Sequence, residues 1–482
     1  MISIFVLPYL FKKNYISKNL QMENRTELNR ALGLGSVIVI VIGNVLGSGV
    51  YKKVAPMMTE LNSSFWVLIA WLCAGIITLF GALCNAEIAG LLSATGGEYS
   101  YYKKIYNKFF AFMYGWTAFS IVQTAAISSL AYVFSQSLNK IISIPELLPG
   151  LKSFSLFNIF FPFENFTVKL TAIILIVVLT WINTLGVKFG TKISSYILLL
   201  VLIGISTIVI SGSYSGKADF SSVFSLENQQ NTLTLSTFFT AMLAAFWAYQ
   251  GWASVGFLGG EIKNPHRNIP KGIAIGVLTV IVIYLLVNFI FLGLLSKNEL
   301  IQITTESNGI AAISAIEKIW GETGKIFISI LILITTLGCT HMTILASCRT
   351  YYAMAKENLF FKKASLLNAK QVPSNSLLYQ GIWASLLVLS GTFDQLTDMI
   401  IFAIFIFYGS TAFGVFVLRK KMPEVERPYK VWGYPIIPAA FVLFCFALFI
   451  NTIITRPREA GLGLLLILLG IPMYYWFKKN NN

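Results

Sequence analysis

The string GNVLGSGV, Gly43 to Val50, lies inside the first long apolar run of this chain. Each glycine costs a helix about 1 kcal/mol relative to alanine, so three in seven residues predict a helix that opens there. In hydrocarbon, opened backbone survives only where it is buried in protein or lines a cavity. A break at Gly47-Ser48-Gly49 therefore offers bare N–H and C=O groups to a small polar solute at mid-membrane. A second string repeats the pattern: Trp247-Ala248-Tyr249-Gln250-Gly251-Trp252-Ala253-Ser254-Val255-Gly256, followed by Gly259-Gly260-Glu261. Close packing through small residues would explain either string alone. Two of them at matching places in two halves favour paired discontinuous helices around a midplane site.

If the first span opens at Gly47–Gly49, its outer half starts there, with free N–H groups and the positive end of the helix dipole facing the site. Such an end binds a carboxylate without a cationic side chain. The inner half ends near Val45 with unpartnered carbonyls, and the break after Trp247-Ala248 leaves carbonyls near Trp247 and Gln250. A site that takes an anion at N–H groups and a cation at carbonyls fits a zwitterionic α-amino acid. Charge-assisted hydrogen bonds contribute about 1.5–3 kcal/mol each, so two or three reach the roughly −4 to −8 kcal/mol of a millimolar to micromolar substrate.

These strings sit in a polytopic membrane chain. It has 482 residues, 56% hydrophobic and only 12% charged. About twelve apolar runs approach the ~20 residues needed to cross hydrocarbon: 32–58, 65–92, 109–138, 167–187, 193–213, 236–259, 272–295, 324–350, 376–391, 395–418, 434–455 and 460–477. The two glycine-broken runs are the first and sixth, and an odd offset of five makes them cross in opposite directions. With both termini and the even-numbered loops inside, 25 of the 36 Lys and Arg residues fall on the inner face. This positive-inside bias predicts cytoplasmic termini and a multi-pass plasma-membrane protein (the inner membrane, if bacterial). It also accounts for the net charge of +16 through contact with membrane lipid rather than nucleic acid. The five cysteines all lie in apolar runs with no CxxC or metal spacing, and read as small buried side chains. No metal and no cofactor are expected. The opening MISIFVLPYLF is too short to span and lacks a cleavage site, and Met22 begins a polar stretch. Residues 1–21 read as an upstream extension of the reading frame or an interfacial segment.

At these residues the chain resembles the amino acid–polyamine–organocation superfamily, and within it the L-type amino acid transporter branch and its bacterial relatives. The resemblance rests on Gly47-Ser48-Gly49, on Glu261-Ile262-Lys263-Asn264-Pro265-His266-Arg267-Asn268-Ile269-Pro270, and on Gly96-Gly97-Glu98-Tyr99, Tyr114-Gly115-Trp116 and Tyr352-Ala353-Met354-Ala355-Lys356-Glu357-Asn358. It implies an all-α fold of two inverted five-helix repeats, 32–213 and 236–420, with helices 1 and 6 discontinuous. Two peripheral helices at 434–477 follow, between a cytoplasmic segment 1–31 and a cytoplasmic tail 478–482. It implies secondary active amino acid transport by alternating access. Gly47, Ser48 and Gly49 would hold the substrate carboxylate. Val45, Trp247 and Gln250 would receive its amine, with Ala248 beside them and Trp247 as an aromatic gate.

Three departures bear on mechanism. Where many relatives carry a lysine midway along span five, this chain has Val201; sodium or a proton could take that place. Carbonyls of Gly43 and Leu46 with hydroxyls of Thr340 or Thr343 would suit sodium, and His341, alone among histidines in a span, could carry a proton. Position 253 is alanine, where some exchangers carry a proton-sensing glutamate. The loop 139–166 has no cysteine, so no disulfide-linked heavy subunit is expected. Among other polar residues in apolar runs, Glu87 reads as the partner of an inner-loop base. Gln123 reads as an interhelical hydrogen bonder, Asn44 as a helix cap or site contact, and Lys52-Lys53 as snorkelling outward or pairing with Glu60. An amine or polyamine permease would need an acidic pocket, and neither broken region supplies a carboxylate except Glu261 at its far cytoplasmic end. An enzyme lacks support, since no HExxH, paired-acid or phosphate-loop motif occurs. A channel or non-transporting sensor would also use broken helices, so flux decides between them.

Overall fold

A computed structural model describes residues 30–142, 144–155, 161–225, 233–305, 309–390 and 393–481; residues 1–21 lie outside it. Among the described residues, ten helices are long and apolar enough to cross a membrane, and two shorter ones, Leu235–Tyr249 and Ser374–Ser390, bring the spans to twelve. In chain order the first runs Leu34–Val45 and resumes at Gly49–Lys52, and the second is Ser64–Leu91. The third ends at Ile141 after a π-helical turn at Ala118–Val122; the fourth and fifth are Phe166–Asn183 and Val187–Tyr214. The sixth, Leu235–Tyr249, continues as the 3₁₀ segment Trp252–Phe257. Then come Pro265–Leu294, Glu322–Lys356, Ser374–Ser390, Phe393–Lys421, Ile436–Thr455 and a twelfth broken into Pro457–Leu468 and Gly470–Asn481.

Local sequence explains where these helices begin. Ser63 caps the second span by accepting the Trp66 amide, and Thr234 and Thr237 form a reciprocal capping box at the sixth. Asn264 takes the left-handed conformation just before Pro265 opens the seventh, where proline's missing N–H costs nothing.

Packing follows a shift of five. The first span packs on the seventh, and the sixth on the second; the fifth packs on the first and eighth, and the tenth on the sixth and third. The second with the seventh, and the third with the eighth, are pairs that this exchange maps onto themselves. The third and eighth spans, 89% and 78% buried, form the axis, whereas the eleventh and twelfth, 33% and 22% buried, are peripheral. This packing is that of two five-helix halves related by an exchange of five, with two added helices.

At the face carrying the described chain ends, the start of the first span is tied to the segment after the sixth. The amides of Ala31 and Leu32 donate to the Glu261 carbonyl, and Lys263 donates back to Leu32. The Gly96 amide donates to the Phe257 carbonyl, and a Cβ on Gly97 would meet the Phe257 ring at 2.4 Å. These contacts join the first span, the sixth and the loop after the second on this side.

Candidate substrate site at the crossing of two broken helices

The first span opens as its glycines require. Leu46 is the last residue to donate back along the inner half, to Ile42, and its own ψ of 86° leaves helical geometry. Among the described residues the amides of Ser48 and Gly49 donate to no backbone carbonyl. The outer half resumes at Gly49, so these N–H groups form its N-terminus. The sixth span opens at Gln250 and Gly251, where Gly251 takes φ +121°, a conformation that suits glycine.

The two breaks touch. A Cβ on Gly49 would lie 2.4 Å from the Ala248 Cβ and 2.5 Å from its Cα, and one on Gly251 would lie 2.5 Å from the Asn44 carbonyl oxygen. Glycine is thus needed at both positions for the backbones to cross.

A narrow cavity lies at the crossing. Val45, Gly47, Ser48, Gly49, Trp247, Ala248 and Gln250 all line it, together with Asn44, Ala126, Leu130, Cys339 and Thr343. The seven candidate substrate residues therefore surround one space. The hydroxyl of Ser48 is buried there and has no partner. Asn44 donates to the Ile40 carbonyl and receives a long, 3.5 Å bond from Thr343. Trp247 is buried, and its carbonyl accepts the Gln250 amide at 3.2 Å.

Sequence reasoning missed the residue that braces this crossing. Tyr284, buried on the seventh span, points its hydroxyl at the Val45 carbonyl (2.7 Å) and the Ala248 carbonyl (2.9 Å). One hydroxyl proton is thus shared between the end of the first span's inner half and the end of the sixth span's outer half, and each carbonyl keeps a lone pair for a further donor. Cys339 was read only as a small buried side chain; its thiol also reaches the Asn44 carbonyl at 3.2 Å. An aromatic residue in an apolar helix carries no mark of such a role in sequence.

A second cavity lies on the other side of the first span, between it and the fifth and eighth. Gly43, Leu46, Ser194, Ile197, Leu198, Val201, Thr335, Gly338, Cys339 and Met342 line it. Gly43, Leu46 and Val201 line this cavity, whereas the expected hydroxyls of Thr340 and Thr343 do not. Thr340 donates to the Thr336 carbonyl and does not line this cavity; Thr343 lines the substrate-side cavity instead. Helical register turns Thr335 to the second cavity, where it bonds the hydroxyl of Tyr51. His341 faces Asn183 of the fourth span at 3.0 Å and lines neither cavity.

Several other charged residues are held in ion pairs or hydrogen bonds. Glu87 pairs with Arg419 and Arg427 and accepts the Val431 amide, the inner-loop pairing expected of it. Glu60 pairs with Arg456 rather than a lysine; Lys52 donates to Gln136, and Lys53 is buried beside Thr397 rather than snorkelled outward. Arg349 and Glu261 form a buried ion pair of 3.0 Å between the eighth span and the segment after the sixth. All five cysteines are free, and four are buried.

A fold of two five-helix halves with both symmetry-related helices opened at one cavity defines a membrane transporter, not an enzyme. The amino acid permease family model matches residues 32–475, and the chain belongs to that family, within the amino acid–polyamine–organocation superfamily. Its curated relatives transport amino acids. It is 32% identical to the serine/threonine exchanger SteT of Bacillus subtilis (strain 168), over 94% of this chain and 98% of that protein. It is 29% identical to the large neutral amino acids transporter small subunit 2 of Mus musculus, over 94% of this chain and 82% of that protein. With the b(0,+)-type amino acid transporter 1 of Mus musculus it shares 27% identity over 94% and 88%. This places the chain among amino acid transporters and antiporters.

Proposed function

We propose that this protein exchanges small neutral amino acids across the membrane by alternating access, binding them where the two broken helices cross. The carrying observation is that the backbone amides at Gly47–Gly49 and the carbonyl ends at Val45 and Ala248 border one cavity. The carboxylate takes the amides, and the ammonium takes carbonyl lone pairs that Tyr284 leaves open. Trp247 shuts the outer path. Ala126, Leu130 and Cys339 line the cavity and leave little room for a long side chain. Ser48 and Gln250 suit a hydroxyl-bearing one, in keeping with the relative named a serine/threonine exchanger.

Exchange rather than cation-driven import is supported by the second cavity. Val201 fills the place of the family lysine, and no acidic side chain lines the space. A bare sodium ion wants several oxygen ligands, and this lining offers mostly hydrocarbon. A polyamine would need a carboxylate in the substrate cavity, and none lines it. The Lys- and Arg-rich face is cytoplasmic in this reading, and the chain works without a disulfide-linked subunit.

Counterflow in proteoliposomes tests this reading. Labelled L-serine is expected to enter only when unlabelled amino acid is inside, with L-threonine competing well and L-leucine poorly. Uptake into empty vesicles driven by a sodium or proton gradient would replace exchange with symport. No uptake of any amino acid would favour the sensor.

A further inference from the structure

One buried acid takes no part in the substrate cavity or in any ion pair. Glu98 opens the short helix Glu98–Ile105 between the second and third spans and is 1% exposed. Its carboxyl accepts the Asn85 side-chain amide at 3.3 Å and the Tyr114 hydroxyl at 3.2 Å. Both donors are neutral. A buried carboxylate without a cation is costly, by several kcal/mol.

The groups around it are known from every element that packs there. Tyr101 and Tyr102 come from its own helix, Tyr114 from the third span and Tyr408 from the tenth. Asn85 comes from the second, whose Glu87 is already paired with Arg419 and Arg427. From the eighth, Glu357 is engaged by Tyr99 and Lys103 on the far side of the helix. Burial pushes the Glu98 pKa up to about 7, against the hydrogen bonds from Tyr114 and Asn85 that pull it down. The Asn85 amide also suits a neutral acid, because its oxygen has no donor; with the amide turned over, a protonated Glu98 donates to it.

Its position gives a proton leverage over the closed path. Gly96 and Gly97, immediately before it, are the residues docked on Phe257 of the broken sixth span. Tyr408, which feels the Glu98 charge, packs its ring against Trp252 at 35° with centroids 4.6 Å apart and bonds Gln250 of the substrate cavity. Opening this face must pull the Gly96–Glu98 turn from the sixth span and let water reach the carboxyl.

We propose that Glu98 is a proton-binding site that holds the cytoplasmic gate shut while it is protonated. The closed state binds the proton tightly; the opened, hydrated state returns Glu98 to the ordinary carboxylate range. The proton therefore stabilises the closed gate below neutrality, and that stabilisation is lost as internal pH rises through about 7. The proton comes from and returns to the cytoplasm, so it sets the exchange rate without being transported. The gate rests on the exchanger reading; the proton site does not.

Two measurements on the full-length protein test this separately. In counterflow with only internal pH varied, exchange is expected to slow on acidification below about pH 7, by at most about tenfold per pH unit for one proton. Glu98→Gln is expected to remain at the slow acid-side rate throughout. A flat wild-type profile, or a Glu98→Gln profile that follows wild type, overturns the gate. If Glu98→Gln does not insert, Tyr114→Phe serves: losing a donor to the carboxylate should move the midpoint to higher pH, and an unmoved midpoint counts against the proposal. Independently of transport, infrared difference spectra of the purified protein should show one protonated carboxyl band disappearing as pH passes neutrality. Absence of that band overturns the proton site even if no substrate is ever found.

Discussion

Two cavities flank the break in the first span, and they are unlike. The one facing the sixth span is bordered by the opened backbone of Gly47–Gly49, the Ser48 hydroxyl and the Asn44 and Gln250 side chains. The one facing the fifth is lined mainly by Ile197, Leu198, Val201 and Met342, with two hydroxyls: Thr335, bonded to Tyr51, and Ser194, buried with no partner among the described residues. Both were opened by the same three glycines. The partner helix thus decides what an opened backbone is used for: a second broken helix makes a polar site, an intact apolar one makes packing.

The difference can be broken most severely at Gly49. Gly49→Val puts atoms into the Ala248 backbone 2.5 Å away, so exchange should fall at least about 100-fold, or ~3 kcal/mol, while the protein still inserts. Normal exchange in that variant would mean that the crossing is not the substrate site. Tyr284→Phe removes the proton shared by Val45 and Ala248. One hydrogen bond of ~1–2 kcal/mol predicts a fall in apparent affinity of about 5–30-fold, read as the half-saturating L-serine concentration. Thr335→Val acts on the other cavity. It should lower thermal stability through the lost Tyr51 bond, by about 1 kcal/mol, yet change the exchange rate less than about threefold. The smallest effect expected is from the medium: replacing sodium by choline should leave exchange unchanged within about twofold, since no carboxylate lines either cavity and one unpartnered hydroxyl, Ser194, falls short of the oxygen ligands a cation needs. A sodium requirement would make the two cavities alike after all.

How far these features were legible in sequence depends on whether backbone or side chain carries them. Glycines in a membrane helix are costly wherever they stand, so Gly47, Gly49 and Gly251 announced the breaks, and the offset of five announced the paired halves. The Glu87 pairing followed from the expense of a charge in hydrocarbon. Side-chain direction was not legible. Thr335, Thr340 and Thr343 lie within about two and a half turns of one helix and differ in facing direction, and a register good to a few residues cannot say which faces the fifth span. Tyr284 was invisible because one tyrosine among 21 looks like packing until its hydroxyl is seen between two carbonyls. Lys53 was misread outward because its burial beside Thr397 depends on the tenth span, more than 300 residues away.

The central claim is that the backbone of the first-span break holds the substrate carboxylate. A cryo-EM structure of the protein with L-serine bound tests it most directly. The account predicts the carboxylate oxygens within hydrogen-bond distance of the amides between Gly47 and Gly49, and the ammonium against the carbonyls that Tyr284 braces. Serine held through its carboxylate by a cationic side chain, or lodged away from the crossing, would contradict it.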